Sequence, residues 1–473
     1  MKILFVTPPL EQWLYFGEAR SPYLGYAMLT AYLRQNLKGP IVEVLDAPAL
    51  DIDWPNLQQQ IDQRTPDIVC VGAPSCWSDD ACRVFKMVKN INKSIITIAG
   101  GIHYTIFPED TLQNKNIDFV IIGEGEITFL ELIRMLYENK KKFSEINGLA
   151  YKDGDKIVKN KPRPLIENLD DLPLPAYDIF PWERKRYVQF KYWKDFSMVV
   201  STRGCTGKCV FCYEWKQYNG IFRFKSGQRL VQELEILNKQ FHVRNIHFGD
   251  DCFLGNKERN IDFFRHLIQK RLPLNWFALV RVDDVLRIKE FLPLMAESGC
   301  VMILMGVEFP SDDELKKMKK GIKVQDIKEA FRLAHSYGIA TIASVIVGWP
   351  DDTFERVRRY AKVMDEINPV FLAPQTLQPL PGSDIWDDYI KEKDHKKNSF
   401  NNSLFDHVHP MMPTKYLSSD EVGMLANWWA EDFFSKPGRM ERALNDFHPL
   451  VGMHARCLVD IMSTAPTKNA IAI

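Results

Sequence analysis

The sequence predicts an α/β protein: a doubly wound, Rossmann-like parallel sheet, a partial (βα)6 TIM-like barrel, and a mainly helical C-terminal segment. Three observations carry that reading. Short apolar runs alternate with helical patterns from the N-terminus to about residue 140. A second alternation of the same kind starts near residue 196. Between them lies an irregular stretch with Lys140-Lys141-Lys142, an Asp153-Gly154-Asp155 turn and prolines at 162, 164, 173, 175 and 181. The expected division is therefore 1–140, a 141–195 linker, a 196–390 barrel and a 391–473 cap.

In the first series, strand-like runs fall at 2–7 (KILFVT), 41–45, 67–72, 94–99 and 118–122. Each is a nearly continuous apolar run, as strands buried on both faces require. Helical patterns fill 24–37 and 79–91, and Glu126–Tyr137 places Ile127, Leu130, Ile133 and Leu136 on one stripe. In the second series, runs at 197–202, 244–248, 275–280, 300–306, 339–347 and 370–377 recur about every 30 residues, the repeat of βα units. Beyond 390 the pattern becomes irregular until a helical segment, Ser418–Phe434, which carries Trp428, Trp429, Phe433 and Phe434.

Composition narrows the function. Lys+Arg and Asp+Glu both number 61, so there is no long-range basic field of the kind that draws nucleic acid. No apolar run approaches the ~20 residues of a membrane span, and the start lacks a signal-peptide pattern. A cytoplasmic protein without nucleic-acid partners is expected. Nine cysteines in 473 residues do not form a disulfide framework; three of them, Cys205, Cys209 and Cys212, crowd into one short segment.

That segment, Ser201-Thr-Arg-Gly-Cys205-Thr-Gly-Lys-Cys209-Val-Phe211-Cys212, follows the first strand of the second series, where barrels place their chemistry. Three soft thiolates on a short loop can hold three corners of a 4Fe–4S cluster and leave one iron free. A zinc site would want a fourth Cys or His at close spacing. None follows: the next histidine is His242, and Cys252 opens a later loop.

The CxxxCx-aromatic-C pattern, with Phe211 as the aromatic, resembles that of the radical S-adenosylmethionine (SAM) enzymes. The resemblance, over about 196–385, implies that the free iron chelates the amino and carboxylate groups of SAM. One electron then cleaves SAM to methionine and a 5′-deoxyadenosyl radical, supplied by a donor such as flavodoxin or ferredoxin. It further implies a SAM amino-group site at Gly249-Asp250-Asp251 and a ribose contact at Glu308. An adenine-contacting stretch would end at Val347-Gly348, and Arg281 would stand at the mouth.

The first series offers Ser75-Cys76-Trp77, Gly100-Gly101-Ile102-His103 and Gly123-Glu124-Gly125-Glu126 at strand ends, where a doubly wound sheet binds its ligand. No GxGxxG follows the first strand, which argues against a nicotinamide cofactor. With Pro8-Pro9, Leu24-Gly25-Tyr26, Pro66-Asp67 and Pro108-Glu109, these pieces resemble the cobalamin-binding domain fused to one class of radical SAM enzymes. No DxHxxG motif is present. The resemblance thus implies cobalamin with little or no protein ligation to cobalt, with Ser75–Trp77 at its lower face or packed as an ordinary loop. His103 either ligates cobalt or positions its turn.

Together the resemblances imply methylation of an unactivated carbon, with SAM as radical source and cobalamin delivering the methyl group. Two alternatives are oxidative chemistry like that of the anaerobic magnesium-protoporphyrin ester cyclase, and a cobalamin-binding sensor with a regulatory cluster. The substrate class expected is a small molecule, lipid-like or tetrapyrrole-like. Trp428 and Trp429, followed by Lys436, Arg439 and Arg442, further suggest peripheral contact with a lipid surface.

Overall fold

A computed structural model describes residues 1–9, 13–14, 17–18, 20–393 and 401–464. The chain forms two compact units, one built mainly on Pro22–Tyr187 and the other mainly on Val188–Asp394 and Leu404–Ile473.

In the first unit, β1 (Lys2–Thr7), β2 (Ile41–Asp46), β3 (Ile68–Gly72), β4 (Ile96–Gly100) and β5 (Phe119–Ile121) are parallel in the order β2-β1-β3-β4-β5. Alternation explains the continuous apolar runs. Ile3 and Phe5 of β1 join Ile68 and Cys70 in one core, while Leu4 and Val6 join Val69 and Val71 in another on the opposite face. The strand order reverses between β1 and β3, and a sheet of this winding binds its ligand at that crevice. Pro8-Pro9 and the Ser75–Trp77 turn lie there.

Residues inside the expected 141–195 linker do more than connect. Leu149–Asp153 (β6) and Lys156–Lys159 (β7) form an antiparallel hairpin on the edge of β5. Its tip is the Asp153-Gly154-Asp155 turn, and Leu149, Ala150 and Tyr151 are buried. Tyr187 closes this unit by donating its hydroxyl proton to buried Asp46 at 2.8 Å.

In the second unit, β8 (Phe196–Val199), β9 (Asn245–Phe248), β10 (Asn275–Val280), β11 (Cys300–Glu308), β12 (Ala340–Val347) and β13 (Phe371–Thr376) are all parallel and neighbour one another in chain order. This is the expected (βα)6 barrel. Outside it, Phe248, Phe253, Phe263, Phe264 and Trp276 interlock, with Phe248 and Phe253 stacked at 4.4 Å between ring centroids.

The C-terminal Ser419–Ser435 helix starts with a capping box, in which Ser418 and Glu421 each bond the other's backbone N–H. Its stripe of Val422, Leu425, Trp429 and Phe433 is buried. Trp428 lies off the stripe, half-buried, with its ring 5.1 Å from that of Phe354. The basic residues that follow are engaged with the barrel. Lys436 pairs with Asp365 at 2.5 Å and Asp432 at 2.8 Å, and Arg439 pairs with Asp365 at 2.6 Å while covering the Phe433 ring. Arg442 donates to the Asn368 carbonyl at 3.1 Å. The charge meant for a lipid surface is thus already neutralised or hydrogen-bonded. Among the described residues no helix is long and apolar enough to cross a membrane.

The tryptophan pair yields an expected result. Trp429→Ala removes a fully buried side chain and lowers stability by about 3–5 kcal/mol. Trp428→Ala lowers melting temperature far less and turnover more. Unfolding curves and steady-state rates of both variants check this, and equal destabilisation with no separate kinetic effect would make the segment a structural cap.

Candidate active site

The cysteine loop leaves β8 through Thr202–Arg203, which pairs antiparallel with Arg223–Phe224 and closes residues 204–222 at the base. Gly204 permits the closure: its φ is +87°, and a Cβ there would strike the Ile221 carbonyl. Cys209 is buried, Cys205 and Cys212 half-buried. Among the described residues no three His, Cys, Asp or Glu side chains converge on a single-ion position.

Their electrostatics fit an iron–sulfur cluster. Cys205 is drawn down to about 6 by a hydrogen bond from Cys252, a 3.4 Å bond from the Gly207 N–H, and the charges of Arg281 and Lys320. Burial pushes Cys209 up, and Cys212 up to about 12. Such thiols ionise when bound metal supplies positive charge. Phe211 is half-buried on the same loop.

The predicted SAM residues separate into distinct roles. Asp250 is fully buried, and its carboxylate accepts from the backbone N–H of Ser201 (2.7 Å) and Thr202 (2.6 Å) and from both hydroxyls. With those bonds made it fastens the start of the cysteine loop to the end of β9, and it is not free to hold an amino group. Asp251 is solvent-accessible and stands beside half-buried Glu214, to which it is hydrogen-bonded. An acidic pair reachable from solvent suits an ammonium group.

Arg281 chelates Asp283 at 3.0 and 3.1 Å and donates to the Lys320 carbonyl at 3.1 Å. A Cβ on Gly207 would meet its guanidinium, so that glycine admits the arginine to the cysteine loop. Glu308, at φ +62° on the end of β11, pairs with buried Lys320 at 2.8 Å. Sequence reasoning missed Lys320, Glu214 and Cys252. Lys320 sits in a lysine-rich run that reads as a solvated face, and only the fold turns it inward. Val347 is buried at the end of β12; a Cβ on Gly348 would lie 2.7 Å from Val422, so glycine there admits the Ser419–Ser435 helix.

In the first unit, the ends of β3, β4 and the β5 loop form a cradle with bare backbone. A Cβ added at Gly100 or Gly123 meets nothing within 4 Å, which leaves room for a flat ligand. Gly101 (φ +97°) packs against Ala73 and the Tyr23 hydroxyl. Ser75 and Trp77 are half-buried on the turn after β3. His103 is buried, its Nδ1 lies 3.2 Å from the Ser75 hydroxyl, and burial lowers its pKa to about 4. Gly125 opens the helix after β5, and Glu124 accepts from the Ile166 N–H at 2.7 Å, which ties down the following segment. The open glycine cradle at the ends of β4 and β5 fits cobalamin, held by backbone and shape.

The chain matches the family model of the radical SAM superfamily over residues 199–364 and that of the B12 binding domain over residues 18–133. It is 31% identical over 456 residues to an uncharacterized methyltransferase of Pyrococcus horikoshii, covering 95% of this chain and 96% of the relative. It is 28% identical over 426 residues to the anaerobic magnesium-protoporphyrin IX monomethyl ester cyclase of Rubrivivax gelatinosus, covering 89% of this chain and 75% of that one. Among solved structures, the radical SAM methyltransferase TsrM of Kitasatospora setae, with cobalamin and a [4Fe-4S] cluster bound, shares the fold at a TM-score of 0.67. It is 19% identical and covers 83% of this chain and 75% of its own. The chain belongs to the radical SAM superfamily, in the branch whose members carry a B12-binding domain.

Proposed function

We propose that this enzyme methylates an unactivated carbon of a small-molecule substrate. The carrying observation is the occurrence, in one chain, of a CxxxCxxC loop at a barrel strand end and an open glycine cradle at the strand ends of a Rossmann-like sheet. When bound, the cluster supplies the electron that cleaves SAM, and cobalamin carries the methyl group. Cys205, Cys209 and Cys212 hold the cluster. Asp251 and Glu214 receive the SAM ammonium, Arg281 and Lys320 offset negative charge beside the thiolates, and Glu308 contacts the ribose. Gly100, Gly101 and Gly123 seat the corrin, and a low-potential protein such as flavodoxin or ferredoxin delivers electrons.

The identity to the Pyrococcus methyltransferase over nearly the whole chain favours methylation. The identity to the magnesium-protoporphyrin cyclase favours, as a second reading, oxidative ring closure on a tetrapyrrole. Methyl-labelled SAM separates them: label appears in the product of methylation, whereas an unlabelled oxidised product marks cyclisation. Absence of turnover with lipids, tetrapyrroles and peptides alike would point to a sensor.

A further result is expected from His103. With its ring buried and turned to Ser75, the cob(II)alamin form of the full chain shows no nitrogen superhyperfine splitting from the protein in electron paramagnetic resonance (EPR). His103→Ala leaves that spectrum unchanged. Splitting that vanishes in the variant would make His103 the lower ligand.

A further inference from the structure

Tyr23 precedes the helix Leu24–Asn36, at the position where a serine or aspartate would cap the first N–H groups, and its side chain makes no such bond. Its ring packs instead on Tyr26, with centroids 4.5 Å apart, and lies across the ends of β3 and β4. Glycine at both strand ends makes room for it. A Cβ on Gly72 would lie 2.9 Å from the Tyr23 hydroxyl, and one on Gly101 would lie 3.3 Å from it. The two tyrosines use their hydroxyls differently. Buried Tyr26 donates to the Val6 carbonyl at 2.8 Å and accepts from the Gly72 N–H at 3.1 Å. Half-buried Tyr23 has no hydrogen-bond partner for its hydroxyl among the described residues. Thr7, which ends β1 on the same face as Ile3 and Phe5, is buried, and its Oγ1 has no partner among them either. Buried polar groups are normally paired. Unpaired hydroxyls at the carboxyl ends of such strands are therefore groups for a ligand to satisfy.

We infer that the Tyr23 hydroxyl binds cobalamin by donating a hydrogen bond to one of its peripheral oxygens. A phenol is protonated at neutral pH and has one proton to give. Cobalamin offers acceptors of two kinds, the amide carbonyls on the corrin rim and the phosphate of its nucleotide loop. Gly101, against which the hydroxyl rests, is the chain neighbour of Gly100, where an added Cβ would meet nothing within 4 Å. The hydroxyl thus stands at the border of the glycine cradle. This rests on the proposed seating of cobalamin on Gly100, Gly101 and Gly123, and it adds a side-chain contact to a site otherwise built of backbone and shape.

The test is an absorbance titration of the full-length apoprotein with hydroxocobalamin, beside thermal unfolding without cofactor. Tyr23→Phe keeps the ring and removes one oxygen. It binds hydroxocobalamin roughly five- to tenfold more weakly than the parent, as the loss of one hydrogen bond requires, and it melts at the parent's temperature. Tyr26→Phe lowers the melting temperature, because that hydroxyl serves the fold. Dicyanocobinamide, a corrin without the nucleotide loop, locates the acceptor. The loss of affinity persists with it if Tyr23 bonds an amide of the rim, and disappears if Tyr23 bonds the phosphate. A Tyr23→Phe variant that bound hydroxocobalamin like the parent would overturn the inference, as would a loss of affinity matched by a fall in melting temperature. A parent that bound no hydroxocobalamin would overturn the seating of cobalamin, and the inference with it.

Discussion

Changing Cys205, Cys209 and Cys212 together to alanine abolishes both the iron–sulfur cluster and the cleavage of SAM. Each thiolate holds one iron, and without them the cluster has no protein ligands on this loop. The loss is of all activity, not a slower rate, because the electron has no route to SAM without the cluster. The fold should survive. Buried Cys209 behaves as a small apolar residue whose truncation costs about 1–2 kcal/mol, and the loop is fastened from outside by the four bonds Ser201 and Thr202 make to Asp250. Iron and sulfide assays, with 5′-deoxyadenosine formation after dithionite reduction, decide the matter. A triple variant that still held stoichiometric iron and sulfide would sink the assignment of these ligands.

Asp250, on the same site, shows where sequence reasoning stops. Asp250 and Asp251 are adjacent and chemically identical, yet one is sealed beneath the loop and the other opens to solvent. Both lie in the loop beyond the end of β9, and which of the two turns inward is decided by the partners the folded loop brings to them, Ser201 and Thr202 for Asp250. The cluster loop was legible because thiol spacing is a covalent fact of the chain. The parallel sheets were legible because burial on both faces leaves unbroken apolar runs, as in KILFVT. The β6–β7 hairpin was not, because Tyr151-Lys152-Asp153-Gly154-Asp155-Lys156 is short and highly charged and reads as a turn alone. Lys320 is turned inward by Glu308, its partner 12 residues away on the end of β11, a pairing that no local pattern encodes.

Filling the glycine cradle removes cobalamin while leaving the protein folded. Gly100 ends β4 with ordinary backbone angles, and a Cβ there has no neighbour within 4 Å. A β-carbon at this position therefore meets no protein atom in the free enzyme, and valine is favoured over glycine in a strand. The melting temperature of Gly100→Val in the absence of cofactor should equal or slightly exceed that of the parent. A flat macrocycle gains its dispersion energy only by lying within about 4 Å of the backbone, and the added side chain occupies that space. Overpacking a close contact costs about 1–3 kcal/mol, and loss of the face contact adds to it, so hydroxocobalamin binding should weaken by roughly 100-fold or more. Gly72→Ala provides the opposite case, since its Cβ would lie 2.9 Å from the Tyr23 ring and hydroxyl and should destabilise the unit before any ligand is added. Absorbance titration with hydroxocobalamin, alongside thermal unfolding of each apoprotein, tests both. If Gly100→Val bound cobalamin with the affinity of the parent, the corrin would have to lie elsewhere than on the ends of β3 and β4.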